Sequence, residues 1–107
     1  MGKFFPPDVK FDTISVTIGR TRIVEEIVIS FTHTVEIEWM IPNIAPTNRR
    51  VEVAFVVVAG IENLKLTHEH VYWDQASVLV QLGLLDPTGL PVTGAESARK
   101  LLSFAAT

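Results

Sequence analysis

The sequence predicts an α+β fold, in which a strongly bent four-stranded antiparallel sheet carries two short C-terminal helices. Four segments alternate between apolar and polar residues with the two-residue period of a half-buried strand, and turn-forming residues separate them. Helical patterns occur only late in the chain, after the last of these segments. Because the chain has 107 residues, we expect one domain that spans residues 1–107.

The composition excludes several classes of function. The basic residues are scattered and the net charge is −3, so we expect no nucleic-acid-binding surface. The absence of cysteine excludes disulfides, thiolate catalysis and cysteine-ligated zinc. No apolar run reaches the ~18 residues of a membrane-spanning helix, and residues 1–8 lack the pattern of a signal peptide. We therefore expect a soluble cytoplasmic protein that contacts no membrane.

Strands are expected over residues 11–18, 22–41, 50–59 and 64–74. The second is the longest, because its odd positions from Ile27 to Ile41 are apolar except for His33. Since strands average ~5–6 residues, a run of this length predicts a bent or bulged strand. Turns are expected over residues 19–21 and 45–48, and a hairpin connection over residues 60–63.

Two helices are expected after the fourth strand. Asp74 precedes an apolar segment and is placed to cap a short helix over residues 75–83. Thr93-Gly94-Ala95-Glu96 matches a capping box, which predicts a second helix over about residues 94–104. These helices are too short to cover both sheet faces. We therefore expect either a homo-oligomer, a dimer or larger, that associates through sheet faces, or the loss of a covering N-terminal segment.

The fourth strand is dense in ionisable side chains. Its even positions include His68, His70, Tyr72 and Asp74. Imidazole titrates near neutral pH, and burial raises the pKa of a carboxyl group, so such a row is suited to exchanging protons with a bound molecule. The competing interpretation is structural, because exposed strand faces also carry polar rows and Asp74 has a helix to cap.

His33 is the one polar residue in the apolar series of the second strand. A histidine on a buried face is commonly a hydrogen-bonded core residue. The alternative is a site residue in an apolar pocket, whose walls would come from the aromatic residues Phe31, Trp39, Phe55 and Trp73. We predict no metal site, because the histidines lack the spacing of a zinc motif, and no cofactor, because no phosphate-binding loop is present.

The segment around Asp74 resembles the C-terminal signature of SnoaL-like proteins, which belong to the nuclear transport factor 2-like, ketosteroid isomerase-like superfamily. The resemblance rests on Tyr72-Trp73-Asp74-Gln75, Ser77-Val78-Leu79 and Gln81-Leu82-Gly83. Val24-Glu25-Glu26, Phe31-Thr32-His33 and Ile41-Pro42 with Pro46-Thr47 are similar to an uncharacterised bacterial and fungal branch. The resemblance covers most of residues 9–103. It implies a curved antiparallel sheet around a conical cavity, and N-terminal helices that this chain is expected to lack.

The resemblance also implies an acid/base role for Asp74, since polyketide cyclase members use a carboxylate at this distance before Gln-Leu-Gly. The leading hypothesis is a cavity for a small apolar or cyclic molecule, with isomerase or cyclase chemistry at Asp74. Tyr72, His70 or His33 would then polarise a substrate oxygen. The alternative is a non-catalytic, truncated member that serves as an association module. A closed cavity containing Asp74 would favour the first hypothesis, and a sheet face filled by a partner chain the second.

Overall fold

The computed structural model describes residues 4–105 and contains a four-stranded antiparallel sheet with two short helices. The strands are β1 (Lys10–Ile18), β2 (Arg22–Thr32), β3 (Arg50–Glu62) and β4 (Lys65–Trp73), and the helices are α1 (Gln75–Gln81) and α2 (Glu96–Ala105). Each strand pairs with the next in chain order. The predicted α+β fold class is confirmed. Neither described helix combines the length and the apolar character needed to cross a membrane.

The second strand is shorter than predicted. β2 ends at Thr32, and residues 33–49 form a loop instead of the bent strand expected as far as residue 41. The Asp8 carboxylate accepts hydrogen bonds from the Thr32 N–H at 2.9 and 3.1 Å. The apolar pattern continues because Ile37 and Ile41 are both buried, but the Ile41 N–H bonds to the Ile37 carbonyl in a helix-like turn. The periodicity therefore predicted correctly that Ile37 and Ile41 are buried, but wrongly that they belong to an extended strand.

The β3–β4 hairpin turns at Asn63 and Leu64, so the connection predicted over residues 60–63 was placed too early. Both residues have a positive φ, 53° and 64°, as a two-residue type I′ turn requires. Asparagine adopts this conformation readily, whereas leucine does so at a cost. Gly60 lies inside the hairpin opposite His68, where a Cβ would collide with the imidazole ring.

The two sheet faces differ in what covers them. The concave face carries the main core, to which β2 and β3 contribute Ile27, Ile29, Phe31, Val51, Val53 and Phe55. The loop after β2 and helix α1 cover part of this face with Ile37, Met40, Ile41, Val78 and Leu82. Helix α2 packs on the opposite, convex face, where the Arg99 Nε donates to the Glu52 carboxylate at 3.2 Å. The remainder of the concave face is left open.

Candidate functional site

The uncovered part of the concave face forms an open depression of about 240 Å³, which we call the concavity. Its lining consists of Phe5, Phe11, Ile27, Ile29, Trp39, Phe55, Val57 and Val71, with Glu25 and Glu69. Ligand pockets typically measure ~300–1,000 Å³ and are mostly apolar with a few polar groups. The lining of the concavity is mostly apolar, as in such pockets, but its volume lies below this range and one side of it is open to solvent.

Aromatic rings form a connected wall along the concavity. Phe5 contacts Trp39 edge to face with ring centroids 5.3 Å apart, and Trp39 contacts Trp73 at 5.5 Å. Trp73 in turn stacks on Phe55 at 5.4 Å. The Trp39 Nε1–H donates to the Phe4 carbonyl at 2.7 Å, and the Trp73 Nε1–H to Gln75 Oε1 at 3.0 Å. Because both indole N–H groups are engaged within the chain, the two rings offer their carbon surfaces.

The four predicted wall residues lie at different depths. Trp39 and Phe55 line the concavity. Trp73 contacts both of them without being part of the lining. Phe31 is fully buried in the core, 6.1 Å from Phe5 between ring centroids. These residues therefore form one aromatic cluster, of which Trp39 and Phe55 meet the depression directly.

The predicted row of ionisable side chains on β4 lies on the convex face. Tyr72 pairs with Val56 and His70 with Val58, whereas Val71 pairs with Val57, which lines the concavity. Tyr72 and His70 are exposed to solvent. The structure does not bring either of them to the concavity, and their catalytic roles stay predictions.

His68, also on the convex face, has partners at both ring nitrogens. Arg22 Nη1 donates to His68 Nε2 at 3.0 Å, and Thr67 Oγ1 lies 3.1 Å from Nδ1. The rings of His68 and His70 are 5.1 Å apart. Residues 4–105 contain no group of three or more His, Cys, Asp or Glu side chains arranged to hold a metal ion.

Asp74 lies at the start of α1 and does not line the concavity. Its Oδ1 accepts a hydrogen bond from the Ser77 N–H at 3.2 Å, and its extended backbone, with φ −91° and ψ 102°, is that of an N-cap residue. Of the two roles considered for Asp74, the observed hydrogen bond corresponds to the structural one, capping of α1. An acid/base role for this carboxyl group stays a prediction.

The rest of the Asp-x6-Gln-Leu-Gly pattern also has structural explanations. Gln81 Oε1 accepts from the Glu52 N–H at 2.8 Å, and its Nε2 donates to the Glu52 carbonyl at 3.0 Å. This side chain takes the place of a neighbouring strand along β3, because β4 pairs no further than Phe55. Leu82 is buried in the core, and Gly83 has a φ of 76°, which favours glycine. Asp74 thus caps α1, Gln81 bonds to the edge of β3, and Gly83 supplies the positive φ just after α1 ends.

His33 is fully buried. Its Nδ1 accepts from the Thr47 N–H at 3.1 Å and lies 3.0 Å from Thr47 Oγ1. Its Nε2 has no hydrogen-bond partner among the described residues. Desolvation by the surrounding protein lowers the pKa of His33 below its ordinary value, which favours the neutral ring. His33 does not line the concavity either, so the structure does not unite it with Asp74 in one site.

Two carboxylates of the concavity, Glu25 and Glu69, were not predicted from the sequence. Glu69 alternates with His68 and His70 on β4, so the strand sends it to the concave face together with Val71. Glu25 lies on β2, where its Oε2 accepts from Thr13 Oγ1 at 2.8 Å. The signal that could have located Glu69 is its alternation with the apolar residues Val71 and Trp73.

Comparison with solved structures identifies two relatives in fold. AclR, a proposed hydroxylase from Streptomyces galilaeus, has a TM-score of 0.63 and 24% sequence identity, covering 75% of this chain and 57% of AclR. TsrD from Streptomyces laurentii has a TM-score of 0.65 and 19% identity, covering 73% of this chain and 55% of TsrD. This chain therefore spans little more than half the length of either protein. No family model and no curated protein matches the sequence. The likeness shows that the chain shares the fold of AclR and TsrD.

Proposed function

We propose that the concave face binds a small, mostly apolar or cyclic molecule. The observation that carries the proposal is the concavity itself, about 240 Å³ of space lined by aromatic and aliphatic side chains around two carboxylates. An apolar lining with a few convergent polar groups is what small-molecule sites offer. The hydroxylase activity proposed for AclR supports a small-molecule role for this fold.

The size of the concavity sets the expected affinity. A two-ring molecule that buries roughly 200 Å² of apolar surface gains about 5 kcal/mol at ~25 cal/mol per Å². A net binding free energy of that order corresponds to a Kd of about 0.2 mM, and the ordering costs of association weaken it further. We therefore expect dissociation constants weaker than about 0.2 mM, on the order of 1 mM or above, for simple aromatic probes.

Isomerase or cyclase chemistry at Asp74 is the catalytic version of this proposal. The geometry favours binding alone, because the carboxylates that line the concavity belong to Glu25 and Glu69, while Asp74 caps α1. Asp74→Asn separates the two versions. Asparagine caps a helix about as well as aspartate, but it cannot exchange a proton at neutral pH. This variant should bind probes like the unchanged protein, and it should lose turnover only if Asp74 is the acid/base group.

The binding site is tested by titrating the protein with 2-naphthalenemethanol, using calorimetry and backbone amide chemical shifts. We expect shifts that cluster on residues around Trp39 and Phe55, and we expect Phe11→Ala to weaken binding at least threefold, since Phe11 lines the concavity. Phe104→Ala is the matched control, because Phe104 is 58% exposed, close to the 52% of Phe11, but lies on α2. Equal weakening by the two substitutions, or shifts confined to the convex face, would refute the proposal.

A second candidate function is self-association through the convex face. Val56 and Tyr72 pair across β3 and β4 on this face and are 38% and 60% exposed. Adjacent exposed apolar side chains are typical of contact surfaces between proteins. This observation favours the association module as the alternative function, and the two functions would use opposite faces of the sheet.

A further inference from the structure

We propose that one end of the sheet, the hairpin end, docks on an anionic lipid surface. The hairpin end comprises residues 16–23 and 61–68, which form the β1–β2 and β3–β4 turns and the strand ends beside them. None of these residues lines the concavity, so the inference goes beyond the proposed function and does not rest on it. The prediction of no membrane contact rested on the lack of a spanning segment, which docking through turns does not require.

The two turns of the hairpin end lie side by side. The strands follow one another in antiparallel order, and Arg22 at the start of β2 pairs with Gly60 near the end of β3. The Gly19 N–H donates to the Arg22 carbonyl at 2.8 Å, which closes the first turn. The Ile61 N–H donates to the Thr21 carbonyl at 2.8 Å, which joins the first turn to the second hairpin. The hairpin end is therefore one connected surface.

The hairpin end exposes large apolar side chains. Ile18, Leu64 and Leu66 are 73%, 99% and 58% exposed. Ile18 pairs with Ile23 across β1 and β2, and Leu66 pairs with Ile61 across β3 and β4. Leu64 lies at the tip of its turn with a φ of 64°, a conformation that is unfavourable for leucine. These side chains protrude from turns, and a fluid lipid layer can receive them without a complementary pocket.

The charge of the hairpin end complements an anionic surface. Arg20, Arg22 and Lys65 stand against one acidic residue, Glu62, which gives this end a net charge of +2 in a chain of net charge −3. The three basic side chains are on exposed residues, and within residues 4–105 none of them forms an ion pair with a carboxylate. Arg22 donates to the neutral acceptor His68 Nε2.

Apolar and basic side chains on one surface are what an anionic lipid layer binds. Lysine and arginine near such a surface are attracted by its negative potential. Their alkyl stems lie along apolar surface while the charged groups stay among the headgroups. Leu64 and Lys65 are adjacent at the tip, so the apolar and the basic contact would form together. A purely apolar protein partner would instead desolvate the basic groups without compensation.

Sedimentation with lipid vesicles tests the docking. Vesicles of phosphatidylcholine alone are compared with vesicles that also contain phosphatidylserine, at low ionic strength. We expect the protein to bind the phosphatidylserine vesicles about tenfold more tightly. Added salt should reduce this advantage, because the basic side chains are exposed. Equal binding to both kinds of vesicle, or binding to neither, would overturn the inference.

Leu64→Asn tests the apolar contact. Asparagine adopts a positive φ more readily than leucine, so the variant should fold at least as well. It should lower vesicle binding about tenfold, because a leucine side chain no longer leaves water. Leu90→Asn is the matched control, since Leu90 is 48% exposed but lies between α1 and α2. Equal weakening by both substitutions would refute the role of the hairpin end.

Glutamine substitutions test the basic contact. Arg20→Gln and Lys65→Gln should each lower binding to phosphatidylserine vesicles about fivefold. Lys100→Gln is the control, because it removes the same charge from an exposed position on α2 and should leave binding unchanged. If Lys100→Gln weakened binding as much as Lys65→Gln, the attraction would not come from the hairpin end, and the inference would be wrong.

A fluorescent label shows directly whether the tip enters the lipid layer. The chain has no cysteine, so Leu64→Cys can be labelled at one position with nitrobenzoxadiazole. We expect a blue shift of its emission with phosphatidylserine vesicles and none for the same label at Leu90→Cys. No shift at position 64, or equal shifts at both positions, would contradict the docking. A blue shift that grows with protein concentration without vesicles would show that a second copy covers the tip, which also overturns the inference.

Discussion

His33 is fully buried, and its Nε2 has no hydrogen-bond partner within residues 4–105, so its effect on stability can be predicted. Its pKa in the folded protein is lowered by desolvation, whereas in the unfolded chain it titrates near 6.5. Below pH 6.5 the unfolded state therefore binds more protons than the folded state, and the free energy of unfolding falls as the pH falls through this value. We expect a loss of at most about 1.4 kcal/mol per pH unit between pH 6.5 and the folded-state pKa. Urea denaturation at a series of pH values measures it.

His33→Asn is the control for this prediction. The asparagine Oδ1 is placed to accept the Thr47 N–H as Nδ1 does, and the side chain does not titrate. The difference in stability between the two proteins should be constant above pH 7 and should move in favour of the variant at lower pH. Asp8 acts at lower pH. Hydrogen bonds from Thr32 lower the pKa of Asp8, so its contribution to stability is complete above its ordinary 3.8 and is lost as the pH falls from there through the lower folded-state pKa. If the stability of His33→Asn and that of the unchanged protein changed in parallel with pH, His33 would not be the source of the loss below pH 6.5.

At the level of secondary structure, α1 is joined to the sheet by the side chain of Gln81. Gln81→Leu removes both hydrogen bonds to the Glu52 backbone and leaves an N–H and a carbonyl of β3 without those partners. A partly buried peptide group that loses its partners costs about 1–3 kcal/mol, so the free energy of unfolding should fall by that amount. Chemical denaturation measures the loss.

Gln81→Glu provides a graded comparison. A glutamate retains an oxygen that accepts from the Glu52 N–H but has no N–H to donate to the Glu52 carbonyl. Its stability should lie between those of the unchanged protein and Gln81→Leu. If Gln81→Leu were as stable as the unchanged protein, the side chain would not be the connection between α1 and β3.

The sequence predicted the existence of the elements better than their ends and faces. Alternation found all four strands, and Asp74 located the start of α1 because a cap is a local signal. The end of β2 was missed because Ile37 and Ile41 are buried whether the backbone is extended or turned. Alternation on β4 also defines two faces without saying which is concave. That choice depends on Phe55 and Val57 of the neighbouring strand, so Glu69 was overlooked in favour of His70.

For the molecule as a whole, we predict that the chain self-associates through the exposed apolar residues of its convex face. Val56 and Tyr72 form an exposed pair there, and an aromatic side chain at the centre of an interface commonly contributes ~2 kcal/mol or more to binding. We expect a concentration-dependent increase in mass by sedimentation, and Tyr72→Lys should weaken it at least tenfold. Leu64→Lys adds the same charge at the hairpin tip, where Leu64 is 99% exposed, and should have a smaller effect. A single monomeric species at every concentration would rule out this mode of association.

The location of the two proposed surfaces on opposite faces predicts that they act independently. Phe11 lines the concavity, whereas Tyr72 lies on the convex face of β4. Phe11→Ala should therefore weaken probe binding without changing the sedimentation profile, and Tyr72→Lys should do the reverse. A probe that binds only the folded state stabilises it by RT ln(1 + [L]/Kd), and this gain should be equal in Tyr72→Lys and the unchanged protein. A probe-induced change in mass would show instead that the sheet transmits binding on one face to contacts on the other.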